Sequence, residues 1–209
     1  MLKALHRRRP PGRSRARSWS RSWLVCLLLA FSLAGGPLRA EEMPLSPTIQ
    51  VPLILKILTY DRHFESRFGE ELMLGILYAP ADPQSVKAAN DFSDILYQYA
   101  GKTVKHLPVV KVLVEFTTPE NLERSIAARN IDVLYVAPGN GKNLAAITKV
   151  SREHGVTTTT GVPEYVRSGI SVGLGVSQDR PQILINQPAA ILEGSEFDAS
   201  LLRISTLVK

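Results

Sequence analysis

The chain has 209 residues, of which 25 are basic and 19 acidic, and its formal net charge is +6. Residues 1–40 hold nine of the basic residues and none of the acidic ones, so residues 41–209 carry a net charge of −3. The overall positive charge therefore gives no support to nucleic-acid binding, which needs a basic surface on the folded part. The single cysteine, Cys26, lies in the same basic segment. Residues 41–209 can therefore form neither a disulfide nor a cysteine metal site.

Residues 1–40 are predicted to be a cleavable signal peptide. A long arginine-rich stretch is followed by an apolar run over Trp23–Ala34 and then by Gly35, Gly36 and Pro37, which end the helix. The apolar run has the length of a signal-peptide core and is short for a membrane span. A retained membrane anchor is the alternative interpretation of the same segment.

The folded part is predicted to be a single domain over residues 48–209, preceded by a flexible lead-in over residues 41–47. Its first half alternates between helical and strand patterns. The predicted elements, in chain order, are a helix over Thr48–Tyr60 with Pro52 in its first turn, a strand over Leu72–Tyr78, a helix over Ser85–Ala100 that Gly101 caps, a strand over Leu107–Phe116, and a helix that begins after Thr118 and ends at Asn130.

The middle of the chain, Ile131–Val162, is predicted to be a strand–helix–strand unit. Two runs rich in β-branched residues, Ile131–Ala137 and Val156–Thr160, flank a helix whose apolar face carries Leu144, Ile147 and Val150. The turn over 138–141 separates the first strand from the helix, and Asn140 is the expected N-cap of that helix.

The C-terminal part is predicted to add an antiparallel hairpin and two helices. The runs Gly169–Val176 and Gln182–Asn186 are joined by five mostly polar residues, which is typical of a hairpin. A short turn or helix over Pro163–Arg167 precedes them, and helices over Pro188–Leu192 and Ala199–Leu207 follow, the latter with Asp198 as N-cap. The fold class is therefore α/β, with a mainly parallel sheet, flanking helices and a C-terminal antiparallel hairpin plus helices.

The sequence contains no arrangement that predicts catalysis. The Gly139–Asn143 stretch resembles the end of a phosphate-binding loop, but the required first glycine is Val136 and the required Ser or Thr is Asn143. His63, His106 and His154 are far apart and have no metal-ligand spacing. We therefore expect a protein that is not an enzyme, with no cofactor, no metal site and no catalytic residues.

A ligand or partner site is expected at the carboxyl ends of the strands, where open α/β sheets bind their ligands. The alternative is ordinary turn chemistry, since proline, glycine, threonine and asparagine are common in turns. The residues of this candidate rim are Tyr78, Phe116, Thr117, Pro138, Asn140, Lys142 and Val162.

Several segments together resemble the YfiR/HmsC-like family of exported bacterial proteins. They are LILKILTYDRHF (residues 53–64), LMLGILY (72–78), IDVLYVAP (131–138) and, above all, the tail from Gly169 onward. The resemblance is most specific in the tail, and its signature residues, which we interpret as structural, are Ile185, Asn186, Ala189, Ala190, Leu201, Leu202 and Arg203.

The resemblance implies a periplasmic regulator that binds the periplasmic part of a membrane-bound sensor, a diguanylate cyclase, and represses it. Cyclic-di-GMP signalling and biofilm formation would lie downstream. An outer-membrane lipoprotein and a second copy of the chain are further implied partners. Well-known members carry cysteine pairs, and residues 41–209 have none, so the resemblance does not extend to disulfide-based control. The alternative is a small periplasmic solute-binding protein that uses the candidate rim.

Overall fold

The computed structural model describes residues 41–99 and 101–208. The predicted signal peptide, and with it the alternative of a retained anchor, lies outside these residues. Within the described part of the chain, no helix is long and apolar enough to cross a membrane.

The described residues form eight α-helices and eight strands. The helices are α1 (Pro47–Leu58), α2 (Phe64–Arg67), α3 (Pro83–Tyr97), α4 (Pro119–Arg129), α5 (Leu144–Glu153), α6 (Pro163–Arg167), α7 (Gln187–Leu192) and α8 (Ala199–Ile204). The strands are β1 (Leu72–Tyr78), β2 (Thr103–Val104), β3 (Leu107–Glu115), β4 (Val133–Val136), β5 (Thr157–Thr160), β6 (Val172–Ser177), β7 (Arg180–Ile185) and β8 (Thr206–Leu207).

All eight strands belong to one sheet in the order β2-β3-β1-β4-β5-β6-β7-β8. The strands β3, β1, β4, β5 and β6 run parallel to one another, whereas the β2–β3 and β6–β7 pairs are antiparallel. At the far edge, β8 returns to a parallel pairing with β7. The predicted single α/β domain with a C-terminal antiparallel hairpin is confirmed.

Alternate residues of the central strands face two separate apolar cores, as the two-residue period of a strand requires. In β4, Val133 and Tyr135 face one core, and Leu134 and Val136 face the other. Helices α1, α3 and α8 cover the first core, and α4, α5 and α6 cover the second. The sheet is therefore sandwiched between helices, which explains why β1 and β4 are almost continuously apolar.

Helix starts follow from proline and small polar residues. Asp82 and Thr118 cap α3 and α4 by accepting from the backbone N–H of Gln84 and Asn121, and a proline stands at the first position of each helix. Asp198 caps α8 in the same way, as predicted. The Pro52 prediction is wrong, since Pro47 occupies the first turn of α1 and Pro52 lies inside the helix.

Three element boundaries also differ from the predictions. Helix α3 ends at Tyr97, with Gln98 rather than Gly101 at its C-cap. The hairpin link is only Gln178 and Asp179, both with positive φ (49° and 57°), so Pro181 lies within β7. The last predicted helix ends at Ile204, and Thr206–Leu207 forms strand β8 beside β7.

Candidate functional site

The candidate site lies where the strand order changes direction. The chain passes from β1 through α3 to β3 on one side of β1, and then returns through α4 to β4 on the other side. Helices α3 and α4 accordingly cover opposite faces of the sheet. In doubly wound sheets, this change of direction leaves a crevice between the carboxyl ends of the two central strands, here β1 and β4.

The turn after β4 is held rigidly against the loop after β1. The Ala137 N–H donates to the Leu77 carbonyl at 2.9 Å, which continues the β1–β4 pairing into the turn. Gly139 has a φ of +86°, and a Cβ at this position would lie 2.9 Å from the Ser85 Cβ. A side chain other than hydrogen is therefore disfavoured at Gly139 by both backbone conformation and space.

Asn140 is completely buried at this turn. Its Nδ2 donates to the Ala137 carbonyl at 3.0 Å, so its side chain binds the preceding strand and does not cap a helix. The predicted side-chain cap is therefore wrong, and the first turn after Asn140 is a short 3-10 helix over Gly141–Asn143. The N–H groups of Gly139 and Gly141 in this turn both donate to a side chain from another part of the chain.

A carboxylate of the chain itself is bound to these N–H groups. Glu41 Oε2 accepts from the Gly139 N–H, and Glu41 Oε1 accepts from the Gly141 N–H at 3.2 Å. A Cβ on Gly141 would collide with Glu41 Oε1, so the missing side chain is what allows this approach. Backbone N–H groups that converge on one point form a site for an anion.

A third donor comes from α6. The Tyr165 hydroxyl donates to Glu41 Oε2 and accepts from the Asn140 N–H at 3.0 Å. Tyr165 is buried, and this burial together with the adjacent Glu41 carboxylate raises the pKa of its phenol. The phenol therefore keeps its proton near neutral pH and remains a donor to the carboxylate.

The rest of the lead-in crosses the same end of the sheet. The Leu45 carbonyl accepts from Gln50 Nε2 at 2.6 Å, and Gln50 Oε1 accepts from the Tyr135 hydroxyl at 2.8 Å. Leu45 itself is buried in the first core. The segment predicted to be a flexible lead-in thus makes contacts with α1, β4 and the turn after β4.

A surface cavity of about 320 Å³ borders the other side of the lead-in. Glu42 and Pro44 form one wall, and Pro163, Glu164 and Arg167 of α6 contribute to the opposite wall. Its volume is at the lower end of the range for small-molecule sites in proteins. The lead-in thus contributes Glu41 to the switch-point turn and Glu42 and Pro44 to the lining of this cavity.

The predicted rim residues divide into exposed and buried groups. Thr117 and Lys142 are exposed, and Tyr78 is half-buried with its hydroxyl donating to Glu115 Oε1 at 2.8 Å. Phe116 and Val162 belong to the second core beneath the rim, and Pro138 and Asn140 are buried in the turn. Only the exposed members are accessible from solvent, and the buried ones support the rim.

The main residues of the site that sequence reasoning missed are Glu41 and Tyr165. Glu41 is distant in sequence from the groups that bind it. It lies 98 and 100 residues from the two glycines and 124 residues from Tyr165. Glu41 belongs to a polar, proline-containing stretch, and the five residues of α6 gave no periodic pattern from which the direction of the Tyr165 side chain could be predicted. The glycines of the turn were the one visible signal, and they indicate close approach without naming the group that approaches.

A second polar cluster lies in the core, where α7 meets β5. The Glu193 carboxylate accepts from the Thr158 N–H at 2.8 Å, from the Thr158 hydroxyl at 2.6 Å and from the Ser171 hydroxyl. Burial raises the pKa of Glu193 to about 7, although these donors and the charge of Arg152 act in the opposite direction. A carboxyl group with this pKa changes charge near neutral pH.

Arg67 connects this cluster to α2. Its guanidinium lies 2.8 Å from the Asp61 carboxylate, which is 1% exposed, and also donates to Ser195 Oγ at 2.6 Å. The same group donates to the carbonyls of Gly155 and Glu193 at 2.6 and 3.0 Å. One side chain therefore links α2, the end of α5 and the segment after α7, which is a structural role.

Most of the family-signature residues of the tail are buried. Ile185 is completely buried and pairs with Val172, and Asn186 caps α7 while its Nδ2 donates to the Val166 carbonyl at 2.9 Å. Ala189, Ala190 and Leu201 are buried, Leu202 packs at the edge of the first core, and Arg203 is exposed.

The described residues therefore define a one-domain, doubly wound α/β protein with an anion-binding turn at its switch point. The histidines do not converge, since His63 lies against Gly194, His154 against Glu123, and His106 is exposed. Within residues 41–99 and 101–208, no group of three or more histidine, aspartate or glutamate side chains could hold a metal ion.

A model of the YfiR/HmsC-like family matches residues 53–206. The chain belongs to this family of periplasmic regulators, as its segments and tail suggested. A search of curated proteins finds no similar sequence.

Two solved structures share the fold at low identity. One is a conserved domain protein from Vibrio cholerae O1 biovar El Tor, with 18% identity and a TM-score of 0.54 over 79% of this chain and 61% of that one. The other is an ABC domain from Streptococcus pneumoniae in complex with L-Trp, with 13% identity and a TM-score of 0.54 over 78% of this chain and 60% of that one. The chain thus spans about 60% of the length of each structure, and at this identity the similarity concerns the fold.

Proposed function

We propose that the protein is a non-enzymatic regulator that is exported to the periplasm, binds the periplasmic part of a membrane-bound diguanylate cyclase, and holds that enzyme inactive. The observation that carries the proposal is the family match over residues 53–206, since the family is regulatory. Lower cyclic-di-GMP and less biofilm are the expected consequences of this repression.

The arrangement of polar groups supports a binding function. At the switch point, two backbone N–H groups and a phenol donate to the Glu41 carboxylate, so both carboxylate oxygens are already engaged in hydrogen bonds. The buried Glu193 is enclosed by Thr158 and Ser171 and is not open to a substrate. These sites suit the binding of a ligand or partner better than they suit chemistry.

The candidate rim is the surface that we assign to the membrane partner. Thr117 and Lys142 are exposed on it, and Tyr78 and Glu115 join through a hydrogen bond beside them. Exposed polar groups of this kind are typical of the solvent-accessible rim of protein–protein interfaces. An outer-membrane lipoprotein and a second copy of the chain are further partners that compete for or share such a surface.

The proposal is tested by affinity isolation of the protein from its own host after mild chemical cross-linking and detergent solubilisation of the membranes. We expect an inner-membrane sensor with a diguanylate cyclase domain to co-purify. Recovery of no inner-membrane sensor, together with a small solute that raises the melting temperature, would contradict the proposal.

A charge reversal on the rim locates the interface. Lys142→Glu is expected to reduce recovery of the cyclase at least tenfold, because it places a like or unpaired charge in the contact. Lys149→Glu makes the same charge change on the exposed face of α5, away from the turn, and is the matched control. Equal recovery of the cyclase with the two variants would show that the rim is not part of the interface.

A small periplasmic solute-binding protein is the second candidate. The specific observation in its favour is the carboxylate that already occupies the switch-point turn.

A further inference from the structure

We infer that the switch-point turn is a binding site for a small monocarboxylate, and that Glu41 of the lead-in occupies this site in place of that ligand. The donors are the N–H groups of Gly139 and Gly141 and the hydroxyl of Tyr165. The proposed function needs only the protein partner, so this inference stands or fails separately.

The geometry fits a carboxylate group. Both oxygens of Glu41 are used, since Oε1 accepts from one glycine N–H and Oε2 accepts from the other and from the phenol. The donors are fixed before the anion arrives, because Gly139 is packed against Ser85 and the Tyr165 oxygen is held by the Asn140 N–H at 3.0 Å. Prearranged donors of this kind bind an anion with little loss of conformational entropy.

Neutral donors beside a neighbouring carboxylate favour a ligand with one negative charge over a ligand with two. The described contacts to Glu41 come from neutral groups, namely the two N–H groups and the phenol. Asp82 Oδ2 lies beside Gly139, close to where a Cβ of that residue would stand. A dianion such as phosphate or succinate would bring a second negative charge near Asp82, so a monocarboxylate is favoured.

The lead-in can give way to a ligand. Leu45 is buried in the first core, so only the residues of the lead-in before it have to move when Glu41 leaves the turn. Release of Glu41 therefore frees the two glycine N–H groups and the Tyr165 hydroxyl for the carboxylate of a ligand.

Chemical rescue tests the inference with acetate as the probe. Protein from the full-length gene is prepared as Glu41→Ala, and its melting temperature is followed against sodium acetate, with sodium chloride replacing acetate at constant ionic strength. We expect a saturable rise of about 3 °C for Glu41→Ala and a much smaller one for the wild type, whose own carboxylate fills the site. Acetamide, which is neutral and of the same shape, is expected to give no rise.

A second substitution closes the site without removing its other donors. In Glu41→Ala/Gly141→Ala, the new Cβ takes the place of Glu41 Oε1, so the response to acetate is expected to disappear. Gly141 lacks a positive φ, so alanine introduces no backbone strain there. Glu41→Ala/Gly69→Ala is the matched control, since a Cβ on Gly69 meets nothing within 4 Å.

Selective ¹⁵N-glycine labelling supplies a readout that does not depend on stability. Acetate is expected to shift the amide signals of Gly139 and Gly141 in Glu41→Ala, with the other glycines little affected. Succinate is expected to bind at least tenfold more weakly per carboxylate. Absence of a saturable response, or an equal response in the Gly141→Ala background, would overturn the inference.

Discussion

The Tyr165 hydroxyl donates a hydrogen bond to the Glu41 carboxylate, joining residues 124 positions apart across the carboxyl end of the sheet. The same phenol oxygen accepts from the Asn140 N–H at 3.0 Å. The bond therefore fixes the lead-in to the switch-point turn and to α6 at once. Loosening of this bond would expose the anion site and change the surface next to the candidate rim.

A double-mutant cycle measures the coupling of this pair. Glu41→Gln and Tyr165→Phe are each expected to lower the free energy of unfolding by about 1–2 kcal/mol, because each leaves a buried or partly buried partner less well bonded. The double variant is expected to lose about 1 kcal/mol less than the sum. The values come from urea unfolding, and Tyr97→Phe, at a tyrosine that is 68% exposed, is the control. Additive effects would mean that the bond does not contribute to the folded state in solution.

The Arg67–Asp61 pair is expected to be important for stability. Arg67→Ala leaves a buried carboxylate without its cation and should lower the free energy of unfolding by about 3–5 kcal/mol. Arg67→Lys is expected to recover only part of this loss, since an ammonium group cannot reproduce the fork that also binds Ser195 and Gly155.

The matched control for Arg67 is Arg62, whose ion pair with Glu196 is about half exposed on both sides. Arg62→Ala should change the free energy of unfolding by about 0.5 kcal/mol or less. Similar losses at the two arginines would show that burial does not decide the strength of these pairs.

Glu193 is expected to make stability depend on pH. Its pKa rises on folding from an ordinary 4.5 to about 7, so between these values the folded state retains a proton that the unfolded state has released. The free energy of unfolding therefore falls as pH increases from about 4.5 to 7, by up to about 3 kcal/mol from this group, and levels off above pH 7. Below pH 4.5 the group has no effect, because both states are protonated.

Glu193→Gln removes this contribution, because the amide does not ionise and can still bond to Thr158 and Ser171. The difference in unfolding free energy, variant minus wild type, is expected to increase from pH 4.5 to pH 7. Glu153→Gln, at an exposed glutamate of α5, is the control, and its difference from wild type should not change with pH in this way. Parallel pH profiles for Glu193→Gln and wild type would contradict the assignment of this pKa.

The parts of the fold that could be predicted are those with a local signal. Strand β1 was predicted at Leu72–Tyr78 because an apolar run buried on both faces has clear ends, and α6 because Pro163 marks its first turn. Strand β8 has only two residues and no periodicity of its own, so the sequence predicts these residues as the end of a helix. The interior position of Pro52 was missed because Pro47, which begins α1, lay in the presumed lead-in.

The candidate site was predictable only in its position. Parallel strands and a change in strand order place a crevice at their carboxyl ends, whatever the side chains are. The contact between Glu41 and the turn joins segments about 100 residues apart, and its donors are mainly backbone groups that carry no residue-type signal. Such contacts depend on the finished fold. The sequence therefore predicts Asn140 and Lys142 as site residues at the turn, but not Glu41.

The most direct test of the central claim is the cellular concentration of cyclic-di-GMP, measured by mass spectrometry in a strain that lacks this gene. We predict an increase over the parent strain, its reversal by the wild-type gene, and no reversal by a gene carrying Lys142→Glu at an equal protein level. An unchanged concentration in the deletion strain, with the protein shown to be present in the parent, would contradict the proposed repression of a diguanylate cyclase.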